Sequence, residues 1–151
     1  MNRIAALVVA AFLVLVAAGS GAAQYDYRQP QVQAAAPAVQ TQIKTAITHA
    51  GFAASGSAMG YVEQHLGHTL NCLEGSKGKN FNQSWGNVCE GQGNGILTDL
   101  KAASGGAAFM VLAEGADSLA VAGTKSKNLD EAKNAAKGVA ALLTIISDNL
   151  K

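Results

Sequence analysis

Proline stops early in this chain. Pro30 and Pro37 are the only two, and from Ala38 to Lys151 there is none. Proline in a helix interior costs about 3 kcal/mol relative to alanine, because it lacks the N–H and its ring collides with the preceding turn. The long remainder is therefore free of the strongest helix breaker. It is also rich in the strongest helix former, since alanine supplies 30 of the 151 residues. Together these facts point to an all-α fold, and the length fits one domain. A collagen-like chain is excluded because glycine has no period of three. A wholly disordered chain is excluded because only 14% of residues are charged while 49% are apolar.

The spacing of apolar residues divides the Pro-free part into helices. Val39, Ile43, Ala46, Ile47 and Ala50 predict a first helix over Ala38–Ala54. Ser55-Gly56-Ser57 reads as a break, the alternative being a kinked helix that runs on. A second helix is expected over Ala58–Leu73. Val62, Leu66, Leu70 and Leu73 fall within about 80° of one another on its wheel and form a core stripe. Gly75 is a plausible stop. Glu74–Gly95 reads as a long polar loop, with Phe81 and Trp85 spaced to plug a short helical turn onto the bundle. A short helix over Ile96–Ala103 and a longer one over Ala107–Ala122 follow. In the last helix Asn128 and Glu131 stand as in a capping box. Leu129, Ala132, Ala136, Val139, Leu143, Ile146 and Leu150 then make its stripe. The expected architecture is a bundle of about four helices with one long loop, residues 38–151.

The first residues read differently. Arg3, the apolar run Ile4–Ala18 and the small residues up to Ala23 form the pattern of a secretory signal peptide, residues 1–23. The alternative is an uncleaved anchor, but the run of about 15 residues is short of the roughly 20 that a span needs. Residues 24–37 read as a disordered lead-in. Loss of the leader removes Arg3 and leaves 10 basic against 10 acidic residues. With no basic stripe, nucleic-acid binding is disfavoured. With no polybasic cluster and no cysteine directly after the apolar run to carry a lipid, no stable membrane anchor is expected after cleavage. The expected location is periplasmic or secreted, and no protein partner is indicated.

Alanine is absent between Met59 and Lys101, and that window holds both cysteines, two of the three histidines and the only tryptophan. In an oxidising compartment Cys72 and Cys89 are expected to form a disulfide. Closing the loop between them removes about 3 kcal/mol of chain entropy from the unfolded state. The alternative is a thiolate metal site with His65 or His68, although the spacing lacks the C-x₂₋₄-C pattern of structural zinc. His65, His68 and Cys72 share one flank of the second helix. Imidazoles at i and i+3 can point at one transition-metal ion such as Cu, Ni or Zn. His49 adds a third nitrogen if the first two helices are antiparallel, and Glu63, Met59 or a loop residue could supply a further ligand. The competing readings are solvated surface histidines and, more weakly, haem held between His49 and His65. A c-type haem is disfavoured because C-x-x-C-H is absent.

Other motifs carry less. Glu63 is two residues from His65 and five from His68, so the Glu-x-x-His of a di-iron bundle is missing. Glu114 and Asp117 read as a solvated face. The Gly- and Asn-rich run Gly86–Gly95 lacks the Lys-Ser/Thr of a P-loop and reads as turns around the disulfide, with Asn94 or Thr98 able to cap the next helix. No catalytic constellation stands out, so an enzyme is the least supported class. The alternative to a metal binder is a cofactor-free structural or interaction module presenting Phe81 and Trp85.

The segments HLGHTLNCLEG (65–75) and GNVCEGQGNGILTDL (86–100) together resemble a pattern of small exported bacterial helical proteins. That pattern is H-L-x-H-x-x-N-C-L-x-G, a loop, then N-x-C-x-G-x-G-N-G and a helical tail. The resemblance covers His49 to Leu100, and its paired His and Cys are its most specific part. It implies an exported helical protein and marks the His–Cys region as the place of function, without implying an activity.

Overall fold

The structure is a computed structural model that describes residues 32–150. The expected leader, 1–23, and the lead-in up to residue 31 lie outside the described residues. Among those described there are five α-helices and no strand: α1 (Val32–Ser55), α2 (Met59–Glu74), α3 (Ile96–Ala102), α4 (Met110–Lys125) and α5 (Leu129–Asn149). Short 3₁₀ turns occupy Gln83–Trp85 and Gly106–Phe109. The all-α class holds, while the count is five and not about four: the expected short helix, seen at Ile96–Ala102, adds to four longer ones.

α1 starts at Val32, ahead of Ala38, and contains Pro37. A proline this close to a helix start removes only one backbone bond that the helix would otherwise make. The break after Ser55 is real: α2 begins at Met59. The pairing of α1 with α2 fixes their direction. Thr69 Oγ1 donates to Ala46 O at 3.3 Å. His65 meets His49, and Val62 clusters with Ala53. Partners rise along one helix as they fall along the other, so the two are antiparallel.

α5 packs on both α1 and α4, and α2 packs on α1 and α4. Ala46, Ala50, Ala113, Ala116, Ala120 and Ala136 are all fully buried. These small residues let the helices approach closely, and the volume between them is filled by Leu66, Leu70, Leu73, Leu100, Leu143 and Ile146, each buried. The stripe expected on α5 is in the core from Ala132 to Leu150, with Leu129 packed at its edge. Its start is capped by Asn128, whose side chain accepts from Asp130 N and Glu131 N. The return arm of the box runs through Ser126, which accepts from Asn128 N and donates to Glu131 Oε2.

By length and composition alone Gly106–Lys125, with mean hydropathy 1.2, could cross a membrane. Its buried residues face the bundle, and Glu114 and Asp117 sit mid-helix. Each would cost about 2.5–3.5 kcal/mol at a bilayer centre.

The segment between α2 and α3 is more ordered than a long loop. Asn71, fully buried on α2, donates to Asn82 O and Gly86 O, both at 2.8 Å, and accepts from Asn82 N at 2.9 Å. Gln42, buried on α1, donates to Asp99 Oδ2 at 2.6 Å and accepts from Gly95 N at 3.0 Å. These two carboxamides tie the segment to the bundle at both ends. Between them the chain makes successive turns, and Asn82 caps the 3₁₀ turn by accepting from Ser84 N. α3 has Gly95 at its N-cap with no side-chain cap. Asn94 is instead held by Asp99, which accepts from its backbone N–H and its Nδ2.

Candidate metal centre

The antiparallel α1–α2 pair brings all three histidines together. His49 Nδ1 lies 3.0 Å from His65 Nδ1 and 3.1 Å from His68 Nδ1. The three residues offer ligand atoms that all lie within 4.8 Å of one another. Each sequence-derived ligand is therefore in one cluster. His65 and His68 come from neighbouring turns of α2, and His49 comes from the facing turn of α1.

The chemistry of three converging Nδ1 atoms is specific. An imidazole nitrogen carries either one proton or one lone pair in the ring plane, so it makes one good hydrogen bond. His49 Nδ1 is within hydrogen-bond distance of two nitrogens and can serve only one of them through a proton. A cation could accept a lone pair from each of the three, whose ligand atoms lie within 4.8 Å of one another. With metal–nitrogen bonds of about 2.0–2.1 Å, separations of 3.0–3.1 Å subtend about 90–100° at the ion. That lies between the octahedral and the tetrahedral angle.

The environment favours the neutral form of two of these rings, His49 and His65. Burial, followed by the charges of His68 and His65, lowers the pKa of His49 to about 4. Burial and then His68 lower that of His65. Neutral imidazole is the ligating form, so these two lone pairs are available at neutral pH.

The surroundings give the cluster one closed and one open side. His68 is only 8% exposed. Its Nε2 edge faces Gly86, where an added Cβ would stand 3.5 Å away. Gly86 has φ +88°, a conformation that favours glycine, and its carbonyl is held by Asn71. His49 and His65 are partly exposed. Phe52 and Tyr61 flank His65, with ring centroids 5.2 and 4.3 Å away. Both rings sit at helical spacing from the histidines, three residues after His49 and four before His65.

Cys72 and Cys89 are joined, with S–S 1.98 Å and Cα atoms 5.3 Å apart. No free cysteine remains, so the thiolate alternative has no ligands. Haem between His49 and His65 does not fit either, because two axial nitrogens on opposite faces of an iron stand about 4 Å apart with a macrocycle between them. Phe81 and Trp85 are not a presented surface: both are partly buried, and Trp85 packs against the main core. Its indole lies where a Cβ on Gly67 would be, so α2 needs glycine there to admit it.

Asp117 departs from its reading as part of a solvated face; Glu114 is exposed, as expected. Asp117 faces Glu74 at the end of α2, and its Oδ1 is buried with no hydrogen-bond partner among the described residues. Burial, then the neighbouring Glu74, raises its pKa to about 6. Glu74 itself accepts from the backbone N–H and the Nδ2 of Asn80.

No protein-family model, curated protein or solved structure matches this chain.

Proposed function

We propose that this protein binds one transition-metal ion, Cu²⁺, Ni²⁺ or Zn²⁺, through His49, His65 and His68, and that it works in an oxidising compartment, periplasmic or secreted. Its role is binding, storage or sensing rather than turnover. The observation that carries the reading is the convergence of three Nδ1 atoms, with His49 Nδ1 at 3.0 and 3.1 Å from the other two. The buried Cys72–Cys89 disulfide supports the compartment. The resemblance of His49 to Leu100 to small exported bacterial helical proteins accords with it. Elemental analysis of protein purified from its native compartment tests the proposal, together with titration of chelator-stripped protein. One ion per chain is expected, with binding abolished in His65→Ala/His68→Ala. Stripped protein that takes up none of the three ions, with an unchanged melting temperature, refutes it.

A further inference from the structure

Resting on that metal reading, we infer that the bound ion keeps a coordination position open to a small exogenous anion, so that the centre is a receptor for a third component and not a closed structural site. Closed zinc-type sites use four protein ligands, whereas sites with three leave a position for water or substrate. Here the convergent group holds three donors, and no Asp, Glu or Cys among the described residues joins it. The reasons are local. Glu63 is two residues from His65, about 200° round the helix, and so cannot reach the same flank. Cys72, one turn beyond His68, is committed to Cys89.

The charge of the site sets the class of ligand. Three neutral imidazoles leave the whole +2 of the ion uncompensated, so an anionic oxygen or nitrogen donor is preferred to a neutral one. Access follows from exposure. Two of the three rings are only partly covered. The neighbouring Phe52 and Tyr61 are 43% and 45% exposed, so the His49–His65 side reaches solvent. The opposite edge, at His68, is the one closed by Gly86.

The test uses full-length protein loaded with Co²⁺, whose visible spectrum reports coordination, and azide as the probe anion. A saturable 1:1 change in the cobalt bands, with cobalt retained on the protein, is expected. In the Cu²⁺-loaded protein, water-proton relaxation should show an exchangeable bound water, and azide should abolish that contribution. Retained cobalt with a spectrum that azide does not move overturns the open position while leaving the metal reading intact. So does a phenolate-to-Cu²⁺ charge-transfer band that disappears in Tyr61→Phe, because Tyr61 then fills the position. Failure of every ion to bind refutes the metal reading itself and is seen before azide is added.

Discussion

Replacing Asn71 with alanine separates the structural role of the segment between α2 and α3 from the chemistry beside it. Asn71 is fully buried and makes three hydrogen bonds to that segment, at 2.8, 2.8 and 2.9 Å. Truncation leaves Asn82 O, Gly86 O and Asn82 N, which are part-buried, without their protein partner. Each unsatisfied buried group costs about 1–3 kcal/mol. Local relaxation toward solvent recovers part of this, so the expected loss is about 3 kcal/mol. Urea unfolding followed by circular dichroism measures it, with an unchanged m-value showing that the same cooperative unit unfolds. Asn149→Ala is the control: its side-chain bond to Ile145 O is exposed, and it should cost less than about 0.5 kcal/mol. The disulfide restrains the same segment, so Asn71→Ala combined with Cys72→Ala/Cys89→Ala should be non-additive by about 1 kcal/mol or more. A loss below about 1 kcal/mol for Asn71→Ala alone would show that the segment is held by other contacts and refute the reasoning.

Three further outcomes follow from particular contacts. Gly67→Ala gains about 1 kcal/mol in helix propensity, yet its Cβ would overlap the Trp85 indole ring. Steric exclusion should win, giving a net loss of stability and a red-shifted tryptophan emission; an unshifted spectrum with higher stability would contradict the packing. Asp117 has a pKa of about 6 against an ordinary 3.8, so the fold binds its proton more tightly than the unfolded chain and loses stability as pH rises from about 4 to 6. Asp117→Asn should therefore be more stable than the parent at pH 8, by about 1 kcal/mol after allowance for solvent screening of a half-buried group. That gain should vanish by pH 4 in paired urea melts. His49 has the opposite sign: its pKa of about 4 lies below the ordinary 6.5, so metal-free protein keeps its full stability above pH 6.5 and loses it as pH falls toward 4. The melting temperature should drop less steeply with acid in His49→Gln, and equal slopes would disprove the burial of a neutral ring.

The fold class and most helix faces were legible because they rest on repeating signals. Proline depletion and alanine content foretold helices, and the Val62–Leu73 and Ala132–Leu150 stripes are in the core where periodicity placed them. The shared flank of His65, His68 and Cys72 was equally a matter of helix geometry. His49 needed one further fact, the antiparallel pairing of α1 and α2. What could not be read depends on single polar side chains reaching between elements. Asn71 and Gln42 have no period that distinguishes them from surface amides, so the sequence indicates the disulfide tie and the Phe81–Trp85 turn but not these two anchors. Asp117 sits beside Ala116 and Ala120 on the edge of a buried face, and only the position of Glu74 decides that it is covered. Pro37 misplaced the start of α1: it is the sixth residue of that helix, in the second turn, where its missing N–H removes a bond to residue 33 without ending the helix.

The order in which contacts can form follows from the local pairing of α1 with α2. His49 and His65 are separated by 16 positions, with one short turn between their helices. Gln40, by contrast, reaches Ser147 and Leu150 across separations of 107 and 110. Loop-closure entropy rises with the logarithm of the segment closed, and contacts near in sequence are made soonest. If the three imidazoles meet while α5 is still undocked, an ion bound as proposed would speed refolding instead of only slowing unfolding. In stopped-flow measurements the folding limb should then accelerate with added Zn²⁺; an unchanged folding limb with slower unfolding would show that the histidines come together after the rate-limiting step.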